Sequence, residues 1–507
     1  MATKAKAVKI PASIPKIAPI CMISFPGCRI KTIPINPKMI AHHTSFSILP
    51  FFQIFQIKGV KNGVPMSLLK MPILNELSWV VEGVSGLDIK LTKPQKTNLI
   101  RLLTAMILLN TITLSTVATG WMDIISVNAL SHFMTYSGLK RELFMASAVR
   151  FAIRAMNLKG IAIKLAIDDT MEHHSRFCKC IANVYNLFDH ALGTYCQAKC
   201  IVFAYLVINE RIRFPIGWRV YRQGGKKKWE LAIELVDETL GHGFVIYVVL
   251  FDSWYCVAPF VKALVNRKLT FISEMKSNNL AEFSAEGSKR KVKILITKLF
   301  EYGKHLCEDV LLGLKSNNEE KPARTLYKTQ SINAYVSALG MKLKLIKSID
   351  VRKGCYKIFV TNELSWNTQK VLEEYSYRWL IEEFFRNAKQ LFGLEGASIR
   401  SEQGGAIKLF LVSFADLLVS LQLWRSAQNN FQKGLPTVSA ILARAAEENL
   451  KHLLNTNDHD ALKRIVSNWL KICHKEQYKS RRERRSLVES DFGNAEEANF
   501  GELALTG

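Results

Sequence analysis

Acidic residues are scarce in this chain of 507 residues, and residues 1–75 contain none. Asp and Glu number 43 against 69 Lys and Arg, so the formal net charge is +26. Neutralising phosphates releases counterions, so a surplus of this size predicts a polyanionic partner, with nucleic acid ahead of an anionic membrane. A merely soluble basic protein is the weaker interpretation. Disorder is excluded, because the chain is 49% hydrophobic and 22% charged.

A disulfide framework is also lacking, since the ten cysteines are scattered in a way that suits a reducing compartment. One loose cluster groups Cys178, Cys180, Cys196 and Cys200 downstream of His173 and His174. A structural zinc site usually has a tighter Cys-x2-4-Cys pair in each half. The cluster therefore favours buried free thiols over zinc.

The sequence contains no convincing membrane-spanning segment, and its one candidate is the uncharged run 102–122. Residues 102–122 carry no charge, but they include six Thr or Ser residues, one Asn and one Gly. So many polar groups do not suit a lipid-facing helix. The run predicts a buried helix in a soluble domain, and we expect a cytoplasmic, nucleoid-associated protein without a membrane partner.

The first 65 residues have no sustained helical or strand period and contain eight prolines, which interrupt regular structure. Three interpretations remain: a basic DNA-contacting arm, a targeting segment, or translated sequence upstream of an internal start such as Met66. The prolines favour the last of these.

Three helices are predicted next, from Thr92 to about Val117, from Ser126, and over about 140–156. In a basic chain they indicate either a DNA-binding module or a helical cap on the following domain.

A change of period then predicts strands. The runs 161–170, 200–209 and 242–256 are apolar and β-rich, and residues 226–240 between the last two form a helical pattern. The order indicates a mixed α/β domain with some parallel pairing.

Residues from about 265 to 360 form a charged, β-rich insertion, and helix resumes at Thr368. The tail 474–486 is basic and is available for phosphate contact.

Acids stand at two strand ends. Asp168 and Asp169 follow the first strand and Asp252 follows the third. Ligands of α/β sheets bind beyond the carboxyl ends of strands. Carboxylates gathered there would repel one another without hard cations, so two Mg²⁺ or Mn²⁺ ions are predicted, in the arrangement that cleaves phosphodiesters.

The segment 375–389 supplies the rest of the predicted site. On one α-helix its side chains Tyr375, Arg378, Glu382 and Lys389 share a sector of about 60°. Glu382 would complete the metal site, while the other three would hold the DNA strand. The alternative is a solvated helix face with an ordinary pair between Arg378 and Glu382.

The spacing Tyr-x2-Arg-x3-Glu-x6-Lys, met by these four residues, resembles the signature of DDE transposases of bacterial insertion sequences. The segments "DDT" (168–170), "FDSWY" (251–255) and "GLEGASIRSEQGG" (393–405) are similar to further family segments. The resemblance covers about residues 75–425 and implies Asp169, Asp252 and Glu382 as catalytic metal ligands. Asp169 is chosen because it directly precedes Thr170, so Asp168 is expected to point away.

The resemblance also implies an α/β, ribonuclease-H-like catalytic core interrupted by a β-rich insertion, with helical regions at both ends. The implied activity is cleavage at terminal inverted repeats and joining to target DNA, by a homodimer on paired ends. A related nuclease without strand transfer and an inactive, transposase-derived DNA-binding protein remain as alternatives. The predicted regions are 1–65 (basic extension), 66–160 (helical, DNA-binding), 161–264 (first part of the core), 265–367 (insertion), 368–425 (catalytic helix and end of the core) and 426–507 (helical, with the basic tail).

Overall fold

The computed structural model describes residues 73–454, except 122, 124, 139, 179, 191, 284–290, 303–304, 315–322, 398 and 430–436. The described residues belong to one compact unit, Met66–Gly507. The predicted basic extension (1–65) and the basic tail (474–486) lie outside the described residues.

Helices occupy both ends of the described chain and are interspersed among the strands. They are α1 (Ser78–Ser85), α2 (Lys93–Leu109), α3 (Leu114–Gly120), α4 (Val127–Tyr136), α5 (Arg141–Ala155), α6 (Lys228–Gly241), α7 (Ala258–Asn266), α8 (Ile296–Tyr302), α9 (Thr368–Ser376), α10 (Trp379–Gln390), α11 (Glu402–Asn429) and α12 (Val438–Leu454).

Strands fill the middle of the chain. They are β1 (Ala162–His173), β2 (Tyr185–Asp189), β3 (Thr194–Val207), β4 (Arg213–Val220), β5 (Val245–Phe251), β6 (Phe271–Met275), β7 (Leu280–Phe283), β8 (Val292–Leu295), β9 (Leu306–Leu314), β10 (Ala323–Val336), β11 (Met341–Asp350) and β12 (Tyr356–Thr361).

The helix predicted to begin at Thr92 does so, because the Thr92 hydroxyl accepts from the Gln95 amide and the Gln95 side chain accepts from the Thr92 amide. Its predicted extent to Val117 is wrong. The chain turns at Asn110, which has a φ of 53°, and α2 and α3 meet at 89°. The left-handed turn at Asn110 satisfies its amide on Met106 and ends the helix.

The part of the sheet formed by β1 to β6 mixes both strand directions, as predicted. Strand β1 pairs antiparallel with β3 and parallel with β5, and β5 pairs parallel with β6. Strand β4 pairs with the later part of β3, and β2 with its beginning. This mixed α/β arrangement is consistent with the predicted ribonuclease-H-like class.

Beyond β6 the same sheet continues rather than ending. Strand β12 pairs with β6, and the order continues through β11, β10, β7 and β8, with β9 also on β10. Strand β6 falls inside the predicted insertion 265–367 and yet pairs with β5, so pairing alone does not mark the predicted boundary. The extent of the insertion stays a prediction.

Helix α11 is long and apolar. It contacts β4 and α5, and most of its side chains are buried inside the protein. Residues 402–428 are long and apolar enough to cross a membrane, and the bent pair α2 and α3 passes the same composition test together. Buried core helices have the same composition.

Candidate active site

Two neighbouring carboxylates lie inside β1, which continues to His173, so the prediction that they stand at the end of the strand is wrong. Successive side chains of a strand alternate between faces, so Asp168 and Asp169 diverge. Ile167 lies beside Phe251 in the parallel pairing of β1 with β5. Asp168 follows Ile167 within β1, and Asp252 follows Phe251 directly after the end of β5.

Arg378 connects Asp168 of β1 to Glu382 of the helix predicted to be catalytic. Its Nη1 lies 2.7 Å from Asp168 Oδ2, and its Nη2 donates to Glu382 Oε1. Both contacts are largely shielded from solvent. The expectation that Asp168 points away is therefore wrong, because strand alternation turns Asp168, not Asp169, toward Arg378 and Glu382.

The single helix expected over 375–389 is also wrong. Helix α9 ends at Ser376 and α10 begins at Trp379. The amides of Tyr377 and Arg378 bond to carbonyls three residues earlier, at 3.2 and 2.9 Å, which is the tighter winding of a 3₁₀ turn. Tyr375 thus belongs to a different helix from Glu382.

The apolar side of α10 faces the protein interior. Leu380, Ile381, Phe384 and Ala388 are buried. The ring of Phe384 packs edge-on against Phe203 of β3, with centroids 5.2 Å apart. This packing fixes the helix on the sheet and leaves Glu382 on the side of Arg378.

The carboxylates influence one another electrostatically. Burial raises the pKa of Asp168 to about 8, and the charges of Asp252 and Asp169 add to the increase while Arg378 opposes it. The pKa of Asp252 is raised mainly by burial, and the charge of Asp169 is the next cause of the increase. Amides of Trp254 and Tyr255 donate to Asp252 Oδ1 at 3.0 and 3.3 Å and hold it in place.

Asp169 bonds to a different set of side chains from Asp168. Its Oδ2 lies 2.8 Å from Lys228 Nζ and 3.2 Å from Cys200 Sγ, while its Oδ1 accepts from the Tyr255 hydroxyl at 2.9 Å. Lys228 also lies 4.8 Å from the centre of the Trp254 ring. Lys228 and Tyr255 are not among the predicted site residues, although Lys228 lies in the helical pattern 226–240 and Tyr255 lies in "FDSWY".

Tyr375 and Lys389 lie apart from each other. The Tyr375 hydroxyl is buried and has no hydrogen-bond partner in the described part of the chain, and its ring packs on Phe359 at 4.8 Å. Lys389 Nζ lies 3.0 Å from a carboxylate oxygen of Glu395. The predicted DNA contacts of both residues stay predictions.

A large cleft of about 960 Å³ borders the same region. It is lined by residues that include Lys164, Arg213, Tyr375, Arg378 and Trp379. Asp168, Asp252 and Glu382 are not among its lining residues, so the cleft touches the carboxylate cluster only through Arg378.

Two family models match overlapping parts of the chain. Residues 204–418 match the family model of the transposase DDE domain. Residues 114–291 match that of the DDE superfamily endonucleases. The two matches support a DDE transposase, and together they span the first acidic pair, Asp252 and Glu382. No curated protein matches the chain.

Proposed function

We propose that this protein is a transposase that binds the terminal inverted repeats of its insertion sequence, cleaves the element ends and joins them to target DNA. One observation carries the proposal: within the region of the DDE matches, Asp168 of β1 and Glu382 of α10 both bond to Arg378, and Asp252, just after β5, is close enough for its charge to raise the pKa of Asp168. The net charge of +26 supports DNA as the substrate.

The donor set suits hard divalent cations. Asp168, Asp252 and Glu382 offer only carboxylate oxygens, which Mg²⁺ and Mn²⁺ prefer. A positive group already lies between Asp168 and Glu382, and the raised pKa values of Asp168 and Asp252 reflect buried negative charge that needs compensation. When bound, two such ions supply activation of a water or DNA hydroxyl and stabilisation of the leaving oxygen.

The protein's own side chains position the proposed metal site and contact the DNA. Asp252 is held by backbone amides, and Glu382 is held by the packed helix α10, so both are positioned before DNA arrives. Arg378 is suited to contact the scissile phosphate once cations take over the carboxylates. Lys389 and Tyr375 complete the proposed DNA contacts, and a homodimer on paired ends is part of the proposal.

The first carboxylate is assigned to Asp168 in this proposal. Asp168 shares Arg378 with Glu382, whereas the oxygens of Asp169 bond to Lys228, Cys200 and Tyr255. Asp169, which the family motif selects, is the competing assignment.

A supercoiled plasmid that carries the inverted repeats flanking this reading frame tests the proposed function. With purified protein and magnesium, we expect nicked ends followed by joining of the element to a second, unmarked plasmid. Nicking without joining would instead support a ribonuclease-H-like nuclease. Repeat-specific binding with neither step would support an inactive, transposase-derived DNA-binding protein.

Substitution of Arg378 and Lys389 tests their proposed role in aligning the scissile phosphate. Arg378→Ala and Lys389→Ala are each expected to lower nicking by about tenfold or more, because a misplaced scissile phosphate slows a step that depends on alignment. Arg386→Ala is the matched control, since Arg386 is exposed on the same helix. Rates are measured beside thermal melts. Near-normal nicking in both folded variants would make these side chains ordinary surface residues.

A further inference from the structure

Strands β1, β2 and β3 bring a histidine, an aspartate and a cysteine to one face of the sheet. His173 lies beside Ala198 in the pairing of β1 with β3, and Cys196 is two residues from Ala198 on the same face. Cys196 lies beside Leu187 of β2, and Asp189 follows Leu187 by two residues. The register therefore directs all three side chains to the same side, although they come from three strands.

Their donor atoms converge closely. His173 Nε2 lies 2.7 Å from Asp189 Oδ2. One ligand atom from each of His173, Asp189 and Cys196 lies within 4.8 Å of the other two, and no other trio of His, Cys, Asp or Glu in the described residues meets this criterion. Asp189 is only 8% exposed, and the other two are half-buried. The group is thus shielded and preassembled.

A second carboxylate orients the histidine. Glu395 Oε1 lies 3.2 Å from His173 Nδ1, and Lys389 Nζ lies 3.0 Å from the same oxygen. Histidines that bind metals through one ring nitrogen usually donate the other N–H to a carboxylate, which fixes the tautomer and the ring plane. Glu395 is placed for that role, and Nε2 is then directed at Asp189 and Cys196.

We propose that His173, Asp189 and Cys196 bind a zinc ion that fastens the β2–β3 hairpin to the end of β1. Imidazole, carboxylate and thiolate are the ligands zinc accepts, and a water completes the tetrahedron. Magnesium and manganese take oxygen ligands, so this site is chemically distinct from the carboxylates around Arg378. On binding, the Cys196 thiol loses its proton to solvent and the thiolate coordinates zinc.

The ligand set differs from the cysteine cluster visible in the sequence. Cys200 donates to Asp169 at 3.2 Å and belongs to the Lys228 network. Cys178 and Cys180 are not members of the converging trio. Only Cys196 of the four cysteines is therefore a proposed ligand.

Metal content of the full chain tests the site without any activity assay. Protein expressed with zinc and dialysed against metal-free buffer should retain about one zinc per chain, and Cys196→Ser or His173→Asn should lower that content at least tenfold. Cobalt loading should give a thiolate-to-cobalt charge-transfer band that Cys196→Ser removes. Cys355→Ser, at an exposed cysteine, is the control and should leave both signals unchanged.

Circular dichroism confirms that each variant is folded before its metal is measured. Absence of zinc from the folded wild-type protein would overturn the proposal, as would full zinc content in folded Cys196→Ser. Loss of zinc in a Cys178→Ser, Cys180→Ser double variant with retention in Cys196→Ser would assign the metal to other ligands and would also overturn it. Because no DNA is used, none of these outcomes depends on the transposase proposal.

Discussion

Replacing Asp252 with Asn, or Glu382 with Gln, is expected to lower nicking of element-end DNA by about a hundredfold or more. Each change removes a negative ligand from the proposed metal site while preserving side-chain size, so the chemical step loses electrostatic stabilisation. Repeat-specific binding should change little, because affinity comes mainly from distributed phosphate contacts. Nicking in magnesium and mobility shifts on the same DNA measure the two effects.

Glu373→Gln is the matched control, since Glu373 is exposed on α9 and bonds to Gln369 rather than to the carboxylate cluster. It should nick at the wild-type rate. Magnesium-dependent nicking that persists in either Asp252→Asn or Glu382→Gln would remove that residue from the proposed site. Loss of binding in parallel with nicking would indicate a folding defect instead.

Asp168→Asn and Asp169→Asn are expected to have opposite consequences. Asp168→Asn should lower nicking by about a hundredfold, because it removes the proposed first carboxylate. Asp169→Asn should keep most of the nicking activity but lose roughly 1–3 kcal/mol of stability, because it leaves the largely buried Lys228 without its anion. Nicking rates and denaturant melts on both variants provide the comparison.

A double variant separates these roles further. Combining Asp169→Asn with Lys228→Met removes both partners of the pair and should be more stable than Asp169→Asn alone. If Asp169→Asn instead abolishes nicking in a protein as stable as the wild type, while Asp168→Asn remains active, the catalytic role returns to Asp169.

Local pattern was sufficient for the elements that carry the site. The helical period of Leu380, Ile381 and Phe384 in the sequence matches the buried side of α10. The apolar run before Asp252 correctly indicated a strand, and the helical pattern before it indicated some parallel pairing, which β1 and β5 show. These features depend on hydrophobic period, which neighbouring residues alone determine.

The errors arose where the outcome depends on distant parts of the chain. Alternation along β1 shows that Asp168 and Asp169 diverge, but only the register with β5 and the position of Arg378 reveal which one meets Glu382. The turn between α9 and α10 carries no proline or glycine to signal it. The meeting of His173 with Cys196 likewise depends on the pairing of β1 with β3.

The continuous sheet has a mechanical consequence. Backbone hydrogen bonds run without interruption from β5, which ends beside Asp252, through β6 and β12 to β11 and β10. A force applied at β10 is therefore carried laterally through four successive ladders to the strand that leads into Asp252. Strands β10 and β5 therefore belong to one continuous sheet, so reorientation between them has to come from added sheet twist rather than from rotation about a linker.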